Sequence, residues 1–572
     1  MAEYLSPGVY VEEFESGPRP MEGVSTSTAG FIGLAQKGPV MGQPVLVTNF
    51  SDFYRKFGGY LSEVEWGEYR HLAYSVEQFF INGGARCYIM RVAPSDAKIA
   101  SNGALESGKV LAFSAKDPGE WGNSVSIKCV PSSKVKTQIY NMMETESGKK
   151  YELKSVAGLT VGDVVKFTNG KDEIYNRITK INDKVVEFEN DFDGNVIDQG
   201  LLPKKTLSTC DFDVEVKYGD KVESYEFLSL NKASANFVEK KLGKSELVDV
   251  VATLSDEIKA PCEEIAGAAV EDVTIELIGG VNGSFSKLSA GDFIGTDKGP
   301  SMRTGLQSFI ENETVSIMAM PGIVDLNAQL ALVAHCENTG SRFAILDVPK
   351  DKKTVADIKT HRDVFDSEYA AMYHPWIHTF DHLDKKNIAI PPSGAIAGIY
   401  ARTDQERGVF KAPANENVRS VTKLECNYNE GEQDILNPIG VNLIRNFPGQ
   451  GIKVWGARTL SSNNLWKYVN VRRLFIFLEE SIKANTDWVV FEPNDEMLWV
   501  RVKRTIEVFL DGVWRSGALA GSSSSEAFYV NIGRTTMSAD DIANGRLICE
   551  IGVAPVKPAE FVIFRITQKT SE

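Results

Sequence analysis

Residues 314–348 read TVSIMAMPGIVDLNAQLALVAHCENTGSRFAILDV, and a whole βαβ unit can be followed along that run. Residues 314–319 read as a strand, Pro321 and Gly322 break the run, and Asp325 stands where a helix N-cap belongs, its carboxylate able to accept from the unpaired amides of a first turn. Leu326, Leu330 and Val333 recur at helical spacing until Gly340, which predicts a helix that buries this side. A second apolar strand at 342–348 completes the unit at the length expected of a crossover between parallel strands. A helix at about 352–366 and a strand at 369–377 continue the alternation. Strands that are apolar without alternation belong to a parallel sheet covered on both faces.

The same texture recurs upstream. Residues 29–35 read as a small, apolar buried strand, 72–81 as a helix ended by Gly83 and Gly84, and 86–92 as another strand. Near residue 95 it changes: 100–108 is small and polar, and 111–130 carries PGEWGN (118–123) between β-like runs. Residues 151–210 are short β-prone segments with turns between them, which predicts an inserted small β-barrel or sandwich. Two helices follow toward the C-terminus. One is capped by Asn470 and runs to about 482; the other opens at Asn494 behind Pro493, with Leu498, Val502, Ile506, Phe509 and Leu510 along one face.

The fold class expected is therefore a multidomain chain of α/β and α+β type. It divides into an N-terminal arm (1–25), the first part of a middle α/β domain (26–95), an outer domain (96–244) holding the β-rich insert at about 132–208, the rest of the middle domain (245–436), and an α+β C-terminal domain with its own terminal arm (437–572). At roughly 150 residues per domain, 572 residues give about four domains.

Apolar residues at 43% and charged residues at 24% are values of folded protein and exclude a largely disordered or collagenous chain. The 77 acidic residues outnumber 62 basic ones, and a net charge of −15 argues against nucleic acid or an anionic membrane as a partner held by bulk electrostatics. Seven scattered cysteines without a C-x-x-C pair predict reduced thiols. Met1-Ala2-Glu3-Tyr4 has no basic or apolar leader character, and no run is long enough to insert into a membrane.

Catalytic and cofactor signals are weak. His374, His378 and His382 would share a helical face fit for a metal, but Pro375 opposes the helix. GALESGK (103–109) matches G-x-x-x-x-G-K, yet Val110 lacks the hydroxyl that ligates Mg²⁺ and Glu106 would put a negative charge in the phosphate cradle. Asp347, His361 and Ser393 occur in the order of a subtilisin-type triad, without a nucleophile elbow around Ser393. These readings predict no catalytic residue, no metal and no cofactor.

Both ends of the chain are β-prone, at 8–14 and 561–567. A strand outside its own sheet exposes backbone donors and acceptors and pairs with a partner edge. Two such strands suit exchange between neighbouring subunits, or both pair within the chain's own sheet; composition leaves the two open.

LSPGVYVEE (5–13), PGEWGN (118–123), LIGGVNG (277–283), DFIG (292–295), RTGL (303–306), PPSGAIAGIYARTD (391–404), KAPAN (411–415), NPIGVN (437–442), VWGARTL (454–460), FEPN (491–494) and PAEF (558–561) resemble, in order, the motifs of tail sheath proteins of contractile phages and related injection machines, including R-type tailocins. The resemblance covers nearly the whole chain except about 132–208. It implies a structural subunit, not an enzyme. The middle domain would be subtilisin-like in fold without protease activity, and the C-terminal domain would be the sheath core. Subunits would form stacked hexameric rings around a tail tube, between a baseplate and a tail terminator, and contract to drive the tube through a cell envelope. The location implied is the virion tail or an injection particle, assembled in the bacterial host cytoplasm.

The resemblance further implies that Val9, Tyr10, Val11 and Glu12 at one end, and Phe561, Val562, Ile563, Phe564 and Ile566 at the other, lie in arms that join neighbouring subunits' sheets. A tube-facing helix would carry Arg472, Arg473, Glu479, Glu480 and Lys483, with an acidic partner surface or a solvated face as the reason for the arginine pair. The insert would lie on the outside. The alternatives from other classes are a surface-acting hydrolase using Ser393 and a static shell or filament subunit.

Overall fold

The computed structural model describes residues 21–103, 110–145, 148–168, 173–192, 206–253, 258–266 and 272–563. At its centre β1 (Ala29–Leu34), β2 (Val45–Val47), β3 (Cys87–Val92), β4 (Ile317–Ala319), β5 (Phe343–Asp347), β6 (Ala370–His374), β7 (Glu416–Asn417), β8 (Val441–Phe447) and β9 (Gly451–Val454) form one nine-stranded sheet in the order β2-β3-β1-β4-β5-β6-β8-β9-β7. The six strands from β3 to β8 are parallel, and the outer strands pair antiparallel. Every residue of β1, β4, β5 and β6 is buried, as the unbroken apolar runs require.

Alternation along each strand sorts the core into two layers. Phe31, Ile317, Phe343, Ile345 and Tyr373 join one cluster with α1 (Leu72–Ile81). Ile32, Met318, Ala344, Leu346 and Met372 join another with α2 (Leu326–Thr339) and α3 (Val355–Arg362). The first layer also takes α4 (Ser393–Glu406), which is buried from Ser393 through Thr403.

Two expectations in this region need correction. Asp325 does cap α2, accepting from the Asn327 and Ala328 amides, but Leu326 and Leu330 are 37% and 39% exposed. The buried side is Ala328, Leu332 and Cys336 with Gln329 and Val333, a row at i, i+4 in which the small Ala328 brings the helix onto the sheet. The strand expected at 369–377 divides at Pro375, which follows a cis peptide bond and has no N–H to donate; β6 ends at His374, and Ile377–Asp381 pairs in a separate hairpin with Lys386–Ile390.

Strands Lys136–Thr145, Gly148–Leu153, Val164–Thr168, Glu173–Asn182, Val185–Phe188 and Thr206–Thr209 close a six-stranded barrel around Tyr151, Phe167, Phe188 and Phe192. It grows out of a four-stranded antiparallel sheet, between Val125–Ser132 and Asp211–Tyr218, which pair with each other along their full length. A third core lies between α5 (Val469–Asn485), α6 (Glu496–Arg515) and a two-stranded sheet of Phe528–Ile532 with Cys549–Val553. Leu498, Val502, Ile506, Phe509 and Leu510 supply the buried side of α6. The caps differ from expectation by a residue or two. Asp495 caps α6 through the Leu498 amide, leaving Asn494 to accept from Trp499 Nε1 at 2.7 Å. Asn470 lies inside α5, where its Nδ2 donates to Phe410 O at 2.8 Å.

Candidate functional site

The Asp347, His361 and Ser393 set converges at the carboxyl end of the parallel sheet, but in the wrong connectivity for a triad. Ser393 Oγ donates directly to Asp347 Oδ2 at 2.7 Å, and the Ser393 and Gly322 amides also donate to that carboxylate. His361 is one residue removed: its Nε2 meets Gln329 Oε1 at 3.0 Å, and Gln329 Nε2 donates to Asp347 O. A triad needs the imidazole between the other two. Burial pushes Asp347 up to about 6 and His361 down to about 4, so at neutral pH the histidine is uncharged. The arrangement stitches β5 to the first turn of α4.

The three histidines at 374, 378 and 382 have separate partners. His374 Nε2 meets the Tyr428 hydroxyl at 2.7 Å, His378 Nε2 meets Glu425 Oε2 at 2.8 Å, and His382 stacks on Tyr60. Of GALESGK, residues 104–109 lie outside the described residues.

The helix proposed to face a tube needs a correction. Arg472 and Arg473 are each 3% exposed, because α5 is buried all round over its first half. Arg472 stacks against Tyr369 and Trp466 and pairs with Glu368 and Glu479. Arg473 forks onto Asp404 at 2.9 and 2.6 Å, lies over Tyr400, and donates to Thr26 O. Thr26 Oγ1 closes the set by donating to Asp404 at 2.6 Å. Arg472 therefore holds the C-terminal helix to the central body through Glu368 and Tyr369, and Arg473 ties it to α4 and to the segment at Thr26. Sequence reasoning missed this joint, although Asp404 closes the quoted ARTD run. Of the five expected tube-facing residues, Glu479, Glu480 and Lys483, further along α5, reach the surface, and Lys483 stands 3.8 Å from Glu480.

Val9, Tyr10, Val11 and Glu12, and Phe564 and Ile566, lie outside the described residues. Phe561, Val562 and Ile563 are described: they are 72%, 67% and 78% exposed and belong to no strand. The C-terminal sheet has two strands among the described residues. Its members Tyr529 and Val553 are exposed or half-buried. A two-stranded sheet is marginal alone and offers its outer edges for pairing.

The phage tail sheath protein central domain matches residues 295–460, and the phage tail sheath C-terminal domain matches 461–569. The chain belongs to the contractile tail sheath family. It is 25% identical over 329 residues to a putative prophage major tail sheath protein of Pseudomonas aeruginosa (strain UCBPP-PA14), covering 55% of this chain and 81% of that one. It is 26% identical over 208 residues to the tail sheath protein of Vibrio phage KVP40, covering 36% of this chain and 30% of that longer one. In fold it is similar to the contracted sheath complex of the PVC extracellular contractile injection system, with a TM-score of 0.52, 20% identity, and coverage of 100% and 99%.

In this sheath chain the quoted motifs are joints of the scaffold. PGEWGN and LIGGVNG dock on each other: Asn123 exchanges two hydrogen bonds with Gly280, and Asn282 accepts from the Glu120 amide at 3.0 Å. Gly295 of DFIG, at φ +72°, lies where a Cβ would stand 1.9 Å from Thr304 O of RTGL, so only glycine fits. Gly394 and Gly398 of the PPSGAIAG run let α4 touch α1, since a Cβ on either would come within 2.4 Å of the Ser75 or Phe79 carbonyl.

Proposed function

We propose that this chain is the repeating subunit of a contractile sheath, linked to its neighbours by strand exchange and stacked as hexameric rings around a tail tube. The observation that carries the proposal is the C-terminal sheet, which has two strands among the described residues of a chain whose two ends are β-prone and whose residues 561–563 stand mostly in solvent. A neighbour's arms would complete that sheet. The partners on this reading are other copies of the chain, the tube protein, a baseplate and a tail terminator. The place of action is the tail of a virion or injection particle, assembled in the cytoplasm of a bacterial host.

No chemistry supplies the work on this reading; lattice rearrangement does. A contracted lattice favoured by a few kcal/mol per subunit would release on the order of hundreds of kcal/mol over about a hundred subunits. Strand linkages keep neighbours attached while other contacts are broken and remade. The surface end of α5, with Glu479, Glu480 and Lys483, is the tube-facing candidate that remains, and the outward side of α6, with Met497, Val500 and Val508 exposed, offers a broader face beside it. The barrel would stand on the outer surface.

Negative-stain electron microscopy of the purified chain, with and without its tube protein, tests the proposal. Wide ridged hollow cylinders, or narrower sleeves around tubes, are expected for the full chain, and neither for a chain lacking residues 1–14. Sleeves of normal length from the truncated chain would sink the strand-exchange reading.

A further inference from the structure

The C-terminal segment leaves the fold through one side chain. Val556 is still sewn to the C-terminal domain, its amide donating to Ala518 O. From 557 to 563 the polar contacts among the described residues gather on Glu560. Its Oε1 accepts from Arg458 Nε at 2.7 Å and Asn437 Nδ2 at 2.8 Å. Its Oε2 accepts from Arg458 Nη2 at 2.6 Å and the Tyr468 hydroxyl at 3.1 Å, with Lys467 Nζ at 3.7 Å. The Glu560 side chain is 19% exposed and that of Arg458 7%, while the next three residues stand mostly in solvent. A loose tail has no use for a carboxylate drawn out of water onto four donors, because desolvation disfavours it unless every partner is in place.

The partners lead inward. Both main-chain groups of Arg458 are held by the Asn442 side chain, the amide at 2.7 Å and the carbonyl at 2.8 Å. Asn442 is fully buried on β8, and its Nδ2 also donates to Met372 O on β6. We propose that Glu560 is the anchor of the C-terminal arm, passing tension on the arm through Arg458 and Asn442 into the parallel sheet. The inference rests on the reading that the arm reaches a neighbouring subunit. The fork of two parallel N–H···O bonds suits this, since it resists both pull and rotation and a lysine cannot reproduce it.

The test uses the full chain with a trifluoromethyl-phenylalanine at position 561, and Glu560→Gln, Arg458→Lys and Tyr468→Phe variants. Tyr468→Phe removes one bond of four and guards against variants that fail to fold; melting temperature checks the fold of each. The fluorine line at 561 should narrow about twofold or more in Glu560→Gln and Arg458→Lys and less in Tyr468→Phe, as ordered backbone gains nanosecond motion. Sleeves from the first two should break into shorter pieces under shear than unaltered sleeves. A fluorine line unchanged in all three overturns the anchor. Narrowed lines with sleeves of unaltered strength overturn the tension path. A chain ending at Glu560 separates the two readings: normal, shear-resistant sleeves from it overturn the arm linkage itself, whatever the fluorine line does.

Discussion

Replacing Arg473 by Met would leave Asp404 buried with the Thr26 hydroxyl as its remaining short partner. Both side chains of the pair are under 5% exposed, so neither is screened by solvent. Removing one member of such a pair costs about 3–5 kcal/mol, because the other charge stays buried without compensation. The lost stacking on Tyr400 adds about 0.5–2 kcal/mol. Arg473→Met should therefore lower the first transition in urea unfolding by roughly 1–2 M at a slope of about 3 kcal/mol per molar. Because the pair joins α4 to α5, that transition should be the separation of the C-terminal helices, followed by the fluorescence of Trp499 and Trp514. The double variant Arg473→Met with Asp404→Leu fills the same space without charge and should recover to within about 2 kcal/mol of the unaltered chain. A single variant that costs under about 1 kcal/mol, or a double variant as weak as the single, would refute the reasoning.

Acid should destabilise the subunit. Burial pushes His71 and His374 down to about 3 and His335 and His361 down to about 4, so the unfolded chain takes up protons below about pH 6.5 that the folded one refuses. Each histidine then loses about 1.4 kcal/mol per pH unit, while Asp347, pushed up to about 6, recovers a similar amount once as pH falls through 6. At pH 5 the balance is a loss of roughly 6 kcal/mol, which calorimetry between pH 7.5 and 5 would read as falling melting temperatures; a flat profile would contradict it. Leu510→Ala, at a site 0% exposed between α5 and α6, should cost about 2–5 kcal/mol by chemical denaturation. Gly295→Ala should prevent the 292–305 turn from closing, because the new Cβ would overlap Thr304 O, and should show as loss of folded yield beside a harmless Gly512→Ala control, where nothing stands near the added atom.

The sequence made the elements with strong local chemistry legible. The apolar runs of β1, β4 and β5, the Asp325 cap and the turn-punctuated barrel all follow from period, capping and turn residues within a few positions. What local pattern could not reach was the facing of polar side chains. Arg472 and Arg473 read as surface charges because their partners, Glu368 and Asp404, lie 104 and 69 residues away in the chain. The side of α2 that is buried was misread for a related reason: a leucine row predicts a face, but Ala328 sets how near the sheet the helix can come. The Asp347–Ser393 bond shows why residue order is a weak sign of chemistry, since the same three residue types meet with the imidazole on the outside.

The barrel begins and ends on strands that are already neighbours, with Asp211 directly opposite Ser132. Seen from the supporting sheet, the whole insertion is an elaborate hairpin turn, and the ladder beneath it would close equally well over a tight one. Lengthening a loop whose ends are fixed this way costs little entropy, about 0.6 kcal/mol per doubling. The scaffold is thus a socket that accepts cargo of different size without re-registering a single strand. The barrel can change in length and surface while the ladder between Val125–Ser132 and Asp211–Tyr218 keeps its register.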